Sequence, residues 1–137
     1  MGRVVIEFTV ANNDDVHLLA HAALPPDQVR RAQLQGVVDT GANYLVLPET
    51  VVKQLGLALG QPMMVRFGDG RIEIRDVVEE TRVELLGRHG IFRAIVEPGR
   101  SDALIGAIVL EDLDLLVDCS KQTLQLRDPN QMLGVVE

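Results

Sequence analysis

Val37-Val38-Asp39-Thr40-Gly41-Ala42 sets an acid at the end of an aliphatic run and follows it with a hydroxyl and a glycine. Apolar flanks deny a carboxylate easy solvation. Burial there would push its pKa up, and its charge would have to be met by specific partners. Gly41 lets the backbone turn sharply and brings amide groups toward the carboxylate. The plain alternative is an Asp-Gly turn capped by Thr40, a common device without chemistry. The hexapeptide alone leaves both readings open.

Working outward, Val29 to Val38 reads as the strand that delivers Asp39, and Tyr44 to Leu47 as a short buried run closed by Pro48. Val51 to Leu55 predicts a brief helix, stopped by Gly56. Upstream, Arg3 to Val10 alternates, with Ile6, Phe8 and Val10 on one face. Asn12-Asn13-Asp14-Asp15 reads as a turn cluster, and Val16 to Leu24 as an apolar stretch with interleaved polar positions, ended by Pro25-Pro26.

Downstream, Met64 to Ile74 predicts a hairpin. Val65 and Phe67 alternate with Arg66, Ile72 and Ile74 alternate with Arg71, Glu73 and Arg75, and Gly68-Asp69-Gly70 supplies the positive-φ positions between the arms. Val77 to Leu86 and Ile91 to Val96 read as a second pair of strands across Gly87 to Gly90. Ala103 to Ala107 follows Pro98-Gly99 and precedes a helical turn through Leu110-Glu111-Asp112; strands at Leu113 to Val117 and Thr123 to Arg127 close the unit. Eight or nine short strands with frequent turns and two small helices predict an all-β, closed or folded architecture. Residues 1–128 form the expected domain, and 129–137 a tail or terminal strand.

The chain resembles the retropepsin-like aspartic proteases, especially their small bacterial relatives. Three features carry the resemblance in order: Val37 to Ala42, the glycine-tipped hairpin where that family has its flap, and Leu104-Ile105-Gly106 followed by Leu110-Glu111-Asp112-Leu113. The likeness covers about residues 30 to 128. It implies a single-domain, closed β-barrel or sandwich with one or two short helices. It also implies catalysis by Asp39 with Thr40 and Gly41, substrate contacts from Ala42, Phe67, Gly68, Asp69 and Gly70, and support of the active-site loop by Leu104, Ile105 and Gly106. The chain departs from the family in its extra N-terminal strand region through Pro26, which bears on how a dimer would pair, and in Asn43 after Asp-Thr-Gly-Ala.

Aspartic peptidases need two carboxylates sharing one proton around a water, because like charges about 3 Å apart cannot both ionise. This sequence has one Asp-Thr-Gly; its nearest echo, Val117-Asp118-Cys119-Ser120, lacks the glycine. A two-fold homodimer brings Asp39 against its own copy, and Thr40 of each chain would brace the loops, as the resemblance implies. The expected activity is endopeptidase cleavage of peptide or protein substrates. The rival is a non-catalytic peptide-binding or assembly module on the same dimeric scaffold.

Bulk properties exclude other classes. The 137 residues are enough for one core, 47% of them are apolar, and only 3% are aromatic, so the core is expected to be aliphatic. A net charge of −7 repels phosphate backbones and anionic lipid, so neither nucleic acid nor membrane is an expected partner. A lone Cys119 suits a reducing cytoplasm, and the start Met1-Gly2-Arg3 lacks the apolar block of a secretory signal. Gly2 as a myristoylation site is discounted because Ile6 stands where Ser or Thr is needed. His17 and His21 invite a metal reading without a third ligand and are expected on an exposed strand. Glu79-Glu80 and Glu111-Asp112 read as solvated faces, and Ser101-Asp102 has no elbow motif for a serine triad. No cofactor and no metal is expected.

Overall fold

The computed structural model describes residues 3–137; Gly2, discounted above for myristoylation, lies outside them. Six strands close a barrel in the order β1-β2-β8-β3-β7-β6. They are β1 (Val5–Asn12), β2 (Arg31–Val38), β3 (Leu45–Pro48), β6 (Val77–Leu85), β7 (Arg88–Glu97) and β8 (Ala103–Ile105). Two hairpins stand outside it: β4 (Met63–Arg66) with β5 (Ile72–Arg75), and β9 (Leu115–Asp118) with β10 (Thr123–Leu126). No strand falls within residues 129–137. The all-β single domain expected from turn spacing is what folds.

Alternation builds the barrel. Phe8 and Val10 point inward from β1, as do Val83 and Leu85 from β6, and the core they fill is aliphatic except for Phe8 and Phe92. The N-terminal strand is no appendage. It pairs antiparallel with β2 (Phe8↔Leu34) and with β6 (Val10↔Val83), and so closes the cylinder.

Three details differ from the sequence reading. Among the described residues there are three short α-helices, α1 (Asn13–Ala20), α2 (Glu49–Gln54) and α3 (Ala107–Asp112), plus a 3₁₀ turn at Pro26–Gln28. The unexpected one is α1, because the supposed turn cluster is its N-terminus. Asn12 Oδ1 accepts the Asp15 N–H at 3.1 Å, and Asp14 and Asp15 occupy the first turn, where the helix dipole favours acids. The Asn12 side chain also donates to Leu55 O at 2.9 Å, tying the start of α1 to the end of α2. Asp15 is buried and holds Arg30 at 2.8 and 3.0 Å.

His17 and His21 therefore stand one turn apart on α1 and its cap. Their rings lie 4.4 Å apart, and His21 Nδ1 is 2.9 Å from His17 O. Among the described residues no cluster of three metal-ligating side chains forms. The β6–β7 connection is tighter than the expected Gly87–Gly90: Leu86 (φ 51°) and Gly87 (φ 80°) alone make the turn, and Arg88 to Gly90 already belong to β7.

Candidate active site

The barrel's organising feature is that β8 inserts between β2 and β3. It runs parallel to β2 (Val37↔Leu104, Val38↔Ile105) and antiparallel to β3 (Val46↔Leu104). The connection from Asp39 to Tyr44 must therefore arch over the end of β8. Backbone bonds fix the arch from below. Asp39 N–H donates to Ile105 O at 3.0 Å, Ala107 N–H to Ala42 O at 2.8 Å, and Ile108 N–H to Asn43 O at 3.0 Å.

The approach is so close that position 106 admits only glycine. A Cβ there would lie 2.5 Å from Tyr44 O and 2.7 Å from Asn43 O, both backbone atoms. Ile105 is fully buried beside it. Leu104, Ile105 and Gly106 thus lie directly beneath the Asp39 loop. Gly36, one residue pair up from Val37, is constrained from the other side: a Cβ would meet Ile105 Cδ1 at 2.7 Å and Phe8 Cε1 at 2.8 Å.

Asp39 Oδ1 accepts the Gly41 N–H at 2.9 Å. Asp39 is exposed and takes part in no ion pair among the described residues, so the burial expected from its apolar flanks is not what the structure shows. Val38 packs against the barrel core and Val37, buried on the opposite face of β2, lines a surface hollow, while the carboxylate that follows them stands exposed at the end of the strand.

Two hollows meet at this carboxylate. A cleft of about 450 Å³ runs from Asp39, Gly41 and Ala42 beneath the β4–β5 hairpin, with Phe67 and Gly68 on its far wall and Val46, Ile95 and Leu104 in its apolar floor. On the other side, a hollow of about 720 Å³ exposes Asp39 and Thr40 beside Val4, Val37 and Val117.

In the hairpin, Phe67 N–H bonds Arg71 O at 2.9 Å across a three-residue tip. Of the two tip glycines only Gly70 takes a positive φ (90°); Gly68 does not, contrary to the expectation for the pair. Asp69 turns back onto its own strand, where the Arg71 backbone N–H and guanidinium hold its carboxyl below the usual 3.8. Asp69 and Gly70 do not line the cleft, whereas Phe67 and Gly68 do. The Phe67 ring lies under Arg71 and Arg75 at 4.6 and 5.1 Å. Arg75 in turn grips Glu97 of β7 with two bonds, at 3.0 and 3.1 Å, and so fastens the hairpin base to the barrel.

Asp118, the echo motif, is spent locally. Its Oδ1 takes the Lys121 N–H at 3.0 Å, the Ser120 hydroxyl at 2.8 Å and the Ser120 N–H at 3.1 Å, which hold the carboxyl below its ordinary value. Sequence reasoning missed Gly36 as a packing position, and Met63, Tyr44, Arg66 and Arg100 as cleft walls. A glycine interrupting the aliphatic β2 was the available signal for the first. The wall residues come from distant segments that only folding brings together.

A family model described as aspartyl protease matches residues 28–109, which span the Asp39 loop, the β4–β5 hairpin and Gly106. No curated protein matches the chain. With more than half of its length inside the match, the chain belongs to the retropepsin-like aspartyl protease family.

Proposed function

We propose that the protein is a homodimeric aspartic endopeptidase in which Asp39 of each chain forms the dyad. One observation carries the reading: a strand-end carboxylate is oriented by a single backbone amide and left exposed where two hollows meet. One hollow has the breadth and apolar floor for an extended peptide. The other, with Val4, Val37 and Val117 beside Thr40, offers the surface on which a second copy would bring its own Asp39.

With two carboxylates sharing one proton, the ionised member accepts a proton from water as it attacks the scissile carbonyl. The protonated member donates to the carbonyl oxygen. Gly41 N–H holds each Oδ1 in place, and Thr40 braces the loops across the dimer. Ala42, Phe67 and Gly68 contact substrate from the cleft walls, with Asp69 and Gly70 shaping the hairpin tip that closes over it. The partner supplies the enclosure that one chain lacks. A protein with one free cysteine fits a reducing cytoplasm.

Sedimentation at micromolar concentration should give a dimer, and a library of unfolded peptides should be cleaved on the acidic side of neutrality, where one proton per dyad is retained. A dimer that binds peptides and cleaves none between about pH 3 and 8 would make it a binding module. A strict monomer that cleaves would sink the shared dyad.

A further inference from the structure

Among the described residues, most of the cations that this acidic chain leaves unpaired stand at the site. Seven of the thirteen Lys and Arg side chains are held in ion pairs among the described residues. Arg88 is spent on the carbonyls of Leu113, Asp114 and Asp128. Five remain, and three of these, Arg3, Arg66 and Arg100, line the two hollows that meet at Asp39. Arg100 lines both.

Its guanidinium is half fixed. Nε–H donates to Asp102 O at 2.7 Å within the turn leading into β8, while Nη1 and Nη2 have no partner among the described residues. A guanidinium held at one nitrogen with two free donor groups is preorganised for a carboxylate, which it can take with paired bonds. The one acid besides Asp39 on the cleft wall, Glu97, is already neutralised by Arg75.

Resting on the endopeptidase reading, we propose that the cleft selects peptides with an acidic side chain close to the scissile bond, and that Arg100 receives it. An acid so near the catalytic pair would otherwise be repelled by the pair's negative charge. The arginine offsets that repulsion. Because a dimer presents Arg100 once on each side, the acid can lie on either side of the bond.

The test uses two peptides identical but for Glu or Gln beside the cleaved bond. The ratio of their kcat/KM values should be near one at about pH 3, where the substrate Glu is protonated, and should rise to about tenfold or more by about pH 6. Arg100→Gln should return the pH 6 ratio toward one, and Arg100→Lys should restore part of it, with sedimentation and circular dichroism confirming that both variants stay folded. A flat ratio in the wild type, or one unchanged by Arg100→Gln, overturns the proposal while the endopeptidase reading stands. If neither peptide is cleaved, the endopeptidase reading fails. The charge preference is then decided by fluorescence anisotropy of the same labelled peptides on the wild-type protein. Tighter binding of the Glu peptide at pH 6 upholds it, and equal binding overturns it.

Discussion

Two aspartates stand at strand ends in this chain and lead into tight turns, and they come to opposite uses. Asp118 closes β9, and one of its oxygens takes two backbone amides and a hydroxyl. Asp39 follows β2 and takes one amide, from Gly41. The residues two and three positions on make the difference, since Lys121 adds an amide to Asp118 and Ala42 adds none to the Asp39 carboxylate. Ser120 contributes a hydroxyl as well as its amide, whereas Gly41 contributes only an amide and leaves room beside the carboxylate, since a Cβ there would sit 3.2 Å from Oδ1. Asp118 holds its own turn together. The Asp39 turn is held from below by β8 and α3, so its carboxylate is spared structural work and retains lone pairs for water or substrate.

The sharpest way to break this contrast is to neutralise each acid in turn. Asp39→Asn keeps shape and removes the proton, so kcat/KM for peptide cleavage should fall by about a thousandfold or more, with the dimer intact by sedimentation. Asp118→Asn can still accept the same bonds and should keep turnover near wild type. Large loss in the Asp118 variant, from a folded protein, would put the second carboxylate there after all.

A smaller effect tests the support beneath the Asp39 turn. Gly106→Ala must push a methyl into the backbone of Asn43 and Tyr44. We expect a loss of about 1–3 kcal/mol, read as a Tm lower by several degrees in calorimetry, with cleavage impaired even in the folded fraction. An unchanged Tm would mean that the arch can lift without cost.

The smallest effect belongs to the acid limb of stability. The Asp118 carboxyl is held below its ordinary 3.8, chiefly by the Lys121 N–H and then by the Ser120 hydroxyl. A depressed folded pKa stabilises fully above the unfolded value and is lost as pH falls through the folded one. Asp118→Asn should therefore cost a little stability near neutrality, where the charge-assisted bonds are fully present, and converge on the wild type below about pH 4, seen in urea titrations at stepped pH. An offset that stays the same from neutrality into acid would show that the carboxylate's charge contributes nothing to the turn.

Much of this was legible from the chain. Alternation at Phe8 and Val10, the run into Asp39, the β4–β5 hairpin and the Leu-Ile-Gly at 104–106 all have local causes, period-two burial or a glycine where backbone meets backbone, and local causes leave marks in sequence. Helix α1 was obscured because Asn and Asp serve turns and helix starts equally well, and only the bond from Asn12 to Asp15 decides between them. The exposure of Asp39 was hidden because apolar neighbours along a strand do not say which face of the barrel rim a side chain occupies. Arg100 carried no mark at all. Its freedom is defined by the ion pairs that other arginines make, and those join residues far apart in sequence, such as Arg75 with Glu97.

The insertion of β8 between β2 and β3 also sets a timetable. During synthesis the acid and its glycine leave the ribosome long before residues 103–108, which carry the bonds that seat their loop. Until then β2 and β3 have no shared neighbour, and the barrel that β1 closes against β6 lacks its central stave. A chain that stops short of residues 103–108 thus carries the Asp39 carboxylate on a loop with nothing beneath it. The Asp39 loop takes its final shape only after those residues have emerged to seat it.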